Sequence, residues 1–276
     1  MIPSYRSLSN RAKRPPEPLP HVPALAEFYR QGVNFRQGQL AMVVGRPGSQ
    51  KSGFAMWLTA QWGLPTLYFA ADMGEFVASE RDACIRSGLT SDEVRDIMRG
   101  PSGPKAELMQ MVREASNLSF VVDPNPSLDD IDEEIEAWVE MYDSFPAVIV
   151  LDNLMDLEPI NESEYASNKA ILLELKTLTR NTNAFVLALH HNREEGDPGM
   201  PAPAKQIQGK VSQTPELVLS VALQDTVFRV AAVKQRSGPA DPTGGRYIEL
   251  LADPARTSFS QPTFYQQAIQ GAQSWQ

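Results

Sequence analysis

The chain has 276 residues, 42% of them hydrophobic, one cysteine and a formal net charge of −9. That length builds one large α/β domain with its own core. The composition excludes a disulfide scaffold and argues against a body coated in basic nucleic-acid-binding surface. No apolar run reaches membrane-spanning length, and no apolar segment follows the basic N-terminal residues, so neither a membrane span nor a secretory leader is expected. The lone Cys84 reads as a small core residue and suits a reducing, cytoplasmic setting.

Residues 1–33 read as a basic, proline-rich arm or linker. Arg6, Arg11, Lys13, Arg14 and Arg30 face only Glu17 and Glu27, and Pro15-Pro16-Glu17-Pro18-Leu19-Pro20 is too poor in apolar residues to pack alone. Leu25, Phe28 and Tyr29 mark a short amphipathic segment that docks on the body or on a neighbour, or else belongs to a disordered tail. A domain is expected over 34–262 and a tail over 263–276.

From residue 39 strand and helix alternate. Leu40-Ala41-Met42-Val43-Val44 is a buried strand, and a helix is predicted over 51–62. Thr66–Ala71 is a second strand, with helices at 75–87, 91–99 and 104–115 and a third strand at Asn117–Val122. Ser127 with Asp130 suits a helix start, and Ile131, Ile135, Trp138 and Val139 supply that helix's apolar face. Ala147–Asp152 is the clearest strand. A long helix at 163–181, a strand at Ala184–Leu189, a Gly/Pro-rich loop at 192–210 and strands near 217–223, 226–234, 246–252 and 257–260 follow. The pattern predicts a mainly parallel sheet flanked by helices, with antiparallel hairpin strands added at the C-terminal end.

Between the first strand and helix lies Gly45-Arg46-Pro47-Gly48-Ser49-Gln50-Lys51-Ser52, followed by Gly53. Strand, Gly-rich turn, then Lys-Ser at a helix start is the layout of a phosphate-binding loop. As such a loop, rather than an ordinary Gly/Pro turn, its backbone N–H groups and helix dipole would face an anion, Lys51 would reach the terminal phosphates of a nucleotide, and Ser52 would hold Mg²⁺. Gln50 stands where the pattern wants Gly.

In such sheets ligands bind at the carboxyl ends of strands. Asp152 closes a buried strand, as a carboxylate holding Mg²⁺ through water or as a helix-cap or turn residue. Asp72 ends the second strand, as the base that takes a proton from the attacking water or as a helix cap, with Glu75 as substitute base. His191, or His190, would hydrogen-bond the γ-phosphate and report its loss. Lys234-Gln235-Arg236-Ser237-Gly238-Pro239 is either a hairpin with solvated cations or a pair of cations presented to an adjacent subunit's ATP.

With these segments in view, the chain from about Asn34 to Gln261 resembles the ATPase domain of DnaB-type replicative helicases, within the RecA-like P-loop fold. The likeness rests on Arg46-Pro47 with Phe54-Ala55-Met56, Phe69–Met73, Val150–Leu154, Ala188–Arg193 and Val233–Pro239. The last is close to that family's arginine-finger segment. The resemblance implies a homo-oligomeric ring, usually a hexamer, with ATP at subunit interfaces. It implies that loop 192–210 tracks single-stranded DNA, with Arg193, Lys205 and Lys210 as phosphate contacts. Gln50, Asp72 and His191 depart from the family's Gly, Glu and Gln, which bears on hydrolysis rate more than on binding. The family's N-terminal helical domain has no counterpart in this sequence. The expected function is an ATP-dependent helicase or translocase in DNA replication, with replication or recombination partners engaging the N-terminal arm. The alternatives are a RecA-like recombination or single-strand annealing ATPase, and a slow-hydrolysing regulatory nucleotide-binding module.

Overall fold

The protein is described here by a computed structural model covering residues 16–262, in which the side chains of Gly209 and Lys210 are left aside. Among the described residues nine strands form a single sheet. In chain order they are β1 (Leu40–Gly45), β2 (Thr66–Ala70), β3 (Leu118–Val121), β4 (Val148–Asp152), β5 (Phe185–His191), β6 (Leu217–Gln224), β7 (Val227–Gln235), β8 (Tyr247–Asp253) and β9 (Ser258–Ser260). Their order across the sheet is β3-β2-β4-β5-β1-β6-β7-β8-β9. The pairings from β3 through to β6 are parallel, and β7, β8 and β9 add on antiparallel. This is the expected mainly parallel sheet with C-terminal hairpins. Among the described residues no helix is long and apolar enough to cross a membrane.

The helices are α1 (Ala26–Arg30), α2 (Lys51–Trp62), α3 (Glu75–Ser87), α4 (Ser91–Arg99), α5 (Ser102–Ala115), α6 (Leu128–Tyr142) and α7 (Glu164–Thr182). Because side chains alternate along a strand, β1 feeds two cores. Ala41 and Val43 face one that holds Phe54, Met56 and Trp57 of α2, and Leu40, Met42 and Val44 face the other, with Ile131 and Ile135 of α6 and Ile171, Leu172 and Leu175 of α7. Helices α3 to α5 pack a small cluster of their own around Cys84, Val94 and Leu108. Local chemistry sets several helix starts. Thr90 with Glu93 and Ser127 with Asp130 each form a reciprocal capping box.

The domain does not begin at residue 34. Leu19, Val22, Leu25 and Phe28 are buried in the same core as α2. The chain is tied there by Leu19 N–H donating to the Phe35 carbonyl and by Val22 N–H donating to the Tyr29 hydroxyl, both at 2.9 Å. An extended proline-rich stretch runs into a 3-10 turn and α1, and Leu19, Val22, Leu25 and Phe28, three residues apart, all land inward, which average composition hides. The arm's basic residues Arg6, Arg11, Lys13 and Arg14, like the predicted tail 263–276, lie outside the described residues.

Candidate nucleotide-binding site

The loop between β1 and α2 sits at the carboxyl end of the parallel strands. Gly45 is closely packed, since a Cβ there would meet the Val221 carbonyl at 3.0 Å. Gln50 caps α2 with φ 61° and ψ 29°, in the left-handed region. Glycine is favoured in that region because it carries no Cβ penalty. The Gln50 side chain turns back over α2, and a Cβ at Gly53 would lie 2.8 Å from Gln50 Oε1. Gln50 therefore keeps the loop geometry at a strain cost and fills the space above Gly53.

Lys51 is buried, and its ammonium donates to the Arg46 carbonyl at 3.0 Å and to His191 Nδ1 at 3.3 Å. Burial lowers its pKa to about 8, against the pull of Asp152 and Asp72. Ser52 Oγ donates to Asp152 Oδ1 at 3.0 Å, and the Tyr68 hydroxyl donates to Asp152 Oδ2 at 2.8 Å. Burial raises the Asp152 pKa to about 6, opposed by these two hydrogen bonds. Asp152 is thus no helix cap. Its carboxylate is oriented on both oxygens, one of them toward the hydroxyl at the start of α2. Hard oxygen donors from one serine and one carboxylate, beside an anion-binding loop, fit Mg²⁺, which keeps several waters and takes the rest of its ligands from phosphates. Among the described residues no cluster of three or more His, Cys, Asp or Glu could hold a metal by itself.

Asp72 and Glu75 lie just beyond β2, and both are exposed to solvent. The Asp152 carbonyl accepts from the N–H groups of Ala71 at 2.8 Å and Asp72 at 3.2 Å, which brings the β2 turn to the end of β4. Helix α3 starts from Gly74 without a side-chain cap, so Asp72 is not spent capping it. Its charge is felt at Lys51, Asp152 and His191.

The two histidines separate by strand alternation. His191 points to Lys51, and burial lowers its pKa, so it accepts at Nδ1 as a neutral ring. His190 is fully buried on the other face. It donates from Nε2 to the Gln208 carbonyl at 3.0 Å, and burial lowers its pKa to about 4. It is therefore not placed to touch a phosphate on the His191 side.

Loop 192–210 rises from the same edge. Arg193 is exposed, and it lies 3.9 Å from Glu195, while Lys205 is also exposed. Glu194, Glu195 and Asp197 make the first part of the loop acidic. Lys210 falls outside the described side chains. Lys234 and Arg236 stand apart from everything above. Gln235 pairs with Leu217, and Leu217 pairs with Ala41, at the amino ends of the strands. The phosphate loop begins only after Gly45, roughly 13 Å further along β1 at about 3.3 Å per residue.

Two contributors escaped the sequence reading. Tyr68 is fully buried and holds Asp152. A buried strand tyrosine needs a partner for its hydroxyl, which was the available signal. Arg46 donates to the carbonyls of Glu195 at 2.6 Å and Gly196 at 2.7 Å, linking the phosphate loop to loop 192–210. Nothing local in the sequence marks a contact across that separation.

A family model described as an AAA domain matches residues 31–197, more than half of the chain. Over 243 residues the chain is 28% identical to the gene 65 protein of Mycobacterium phage L5, covering 85% of this chain and 89% of that protein. It is also 28% identical to the gene 65 protein of Mycobacterium phage D29 over 227 residues, covering 78% and 96%. Among solved structures it is similar to one described as an ATPase domain, with a TM-score of 0.75 at 15% identity over 94% of this chain and 97% of that one. It is similar too to a DnaB-like replicative helicase studied for its interactions with primase, with a TM-score of 0.73 at 15% identity over 94% and 66%. A phosphate loop, a strand-ending Asp152 oriented on both oxygens and a sheet of this order thus come together in one chain, which belongs to the AAA-domain family and has the RecA-like P-loop fold.

Proposed function

We propose that this chain is an ATP-hydrolysing motor that assembles as a hexameric ring and moves along single-stranded DNA as a helicase or translocase in DNA replication. The observation that carries the reading is the placement of the cations. Lys51, Ser52, Asp152 and His191 gather at the carboxyl ends of the strands, while Arg236 leaves the sheet at the amino ends. Arg236 is out of reach of its own chain's phosphate loop, and an exposed arginine there is suited to a neighbour's. The likeness to the two solved ATPase folds, one of them from a DnaB-like replicative helicase, supports the same arrangement.

In this reading the backbone N–H groups of Gly48 to Ser52 and the Lys51 ammonium grip the β- and γ-phosphates. Bound Mg²⁺ would neutralise charge on the transferring phosphoryl group, held by Ser52 and, through water, by Asp152. Asp72 receives the proton of the attacking water, with Glu75 beside it. Neutral His191, already on Lys51, donates from Nε2 toward the γ-phosphate and relaxes when it leaves. Arg46 passes that change to loop 192–210 through the Glu195 and Gly196 carbonyls. DNA phosphate contact falls on Lys205, Lys210 and backbone N–H groups more than on Arg193, which its acidic neighbours offset.

The slow-hydrolysing reading draws on Gln50 and Asp72, and single-strand stimulation of ATPase separates it from the motor. Lys51→Ala should lower turnover by about 10²-fold or more. Arg236→Ala should bind ATP yet lose turnover, and mixing it with Asp152→Ala subunits should restore part of the rate. A mixture as inactive as its components would remove the shared-site reading.

A further inference from the structure

The connection from β5 to β6 must return from the carboxyl to the amino ends of the sheet. It does so without a long helix, through short 3-10 turns at Ala204–Gln206 and Gln208–Gln213. Such a segment has few internal hydrogen bonds to define it. Side chains from elsewhere hold it by its carbonyls. Arg46 takes Glu195 and Gly196 at the entry, and His190 takes Gln208 midway.

The exit is held most heavily. Lys234 Nζ donates to the carbonyls of Ser212 at 2.6 Å, Gln213 at 2.6 Å and Pro215 at 2.7 Å. An ammonium has three N–H donors, so all are spent within the chain. Arg236 donates one terminal nitrogen to Gln213 at 2.9 Å and Thr214 at 3.4 Å, and its backbone N–H to Glu216 at 2.9 Å. Its Nε–H and other amino group have no partner among the described residues. Lys234 is half-buried, whereas Arg236 is exposed. Charge-assisted bonds to the last carbonyls of a helical turn are strong and favoured by the turn's dipole.

We propose that Lys234 is a positioning residue: it staples the exit of the β5–β6 connection, sets the loop above it and aligns Arg236, and it is not one of a pair of cations given to a neighbour's nucleotide. The DNA-binding consequence rests on the function proposed above. The staple itself does not.

Two measurements on the full chain decide it. The first is lysine acylation of the unaltered protein, read by mass spectrometry. Lys234 should label about tenfold slower than exposed Lys205 without nucleotide or DNA, and no slower still with an ATP analogue. Labelling as fast as Lys205 without nucleotide, with protection only in the nucleotide-loaded oligomer, would overturn the proposal. The second is backbone hydrogen exchange of Lys234→Met without nucleotide. Exchange over residues 207–216 should rise about tenfold while α2 and β4 are unchanged. Wild-type exchange there would equally overturn it. If that variant fails to fold, the labelling result stands alone. Single-strand affinity should fall several-fold in Lys234→Met with the KM for ATP unchanged. Raised exchange without any DNA binding in the wild type would count against the motor and leave the staple in place.

Discussion

At Gln50 the cost of a departure from pattern is visible. A non-glycine residue at φ 61° carries a penalty of about 1 kcal/mol or more, so Gln50→Gly should raise stability to urea by about 1 kcal/mol. Gly53→Ala meets the Gln50 side chain, so its cost should shrink in the Gln50→Gly background, a coupling of about 0.5 kcal/mol or more in a double-mutant cycle. Asp152 makes a pH-dependent prediction. Its carboxyl is raised from 3.8 to about 6 in the folded chain, so folding favours its protonated form. The folded state is then unpenalised below pH 3.8, loses stability as pH rises through that value toward 6, and carries the full cost above. Asp152→Asn should therefore be more stable than wild type at pH 8 by about 1–3 kcal/mol, with the difference gone near pH 4 and hydrolysis lost. Urea titrations of nucleotide-free protein at about pH 8, 6 and 4 check the sign, and a pH-independent difference would contradict a raised carboxyl.

Elements followed from local rules wherever those rules act alone. The capping boxes at Thr90 and Ser127 start α4 and α6 at the expected residues. Ser127→Ala should cost about 1 kcal/mol in thermal unfolding and leave ATPase unchanged, since Ser127 follows β3, the edge strand four places from β1. Strand β5 shows where local reading stops. Its apolar run ends at Leu189, yet the strand continues through His191, because Gly45 of β1 pairs with His191. That pairing puts His191 beside Lys51 and His190 beneath the connection to β6. Period-two alternation in the sequence could separate the two rings. It could not say which one faced the phosphate loop, because that depends on which neighbour each face meets.

Across the whole molecule the domain is larger than its resemblance suggested. A chain starting at residue 34 would lose Leu19, Val22, Leu25 and Phe28 from one core. At about 2–5 kcal/mol for each large buried side chain, that deletion should not fold. Leu25→Ala alone should lose about 2–5 kcal/mol in urea denaturation, and a loss under about 0.5 kcal/mol would mean the segment only rests on the surface. The same scale governs function. Arg236 lies at the end of the sheet opposite to its own phosphate loop, so a complete hydrolytic site in this reading needs a second copy. Mass measurement with an ATP analogue should therefore show an assembly larger than one chain.

The alternation of apolar strands and helices, the Gly-rich turn before Lys51-Ser52 and the carboxylate closing β4 are local patterns, and they alone were enough to determine the fold class and the phosphate loop. Strand periodicity and turn chemistry act over a few residues and need no partner to be read. Tertiary structure alone decided that Tyr68 orients Asp152, that Arg46 reaches Glu195 and Gly196, that Leu19 to Phe28 are core, and that Lys234 spends its donors on Ser212 to Pro215. Those outcomes depend on strand order and on how the β5–β6 connection crosses the sheet, and contacts between distant segments leave no period in the chain.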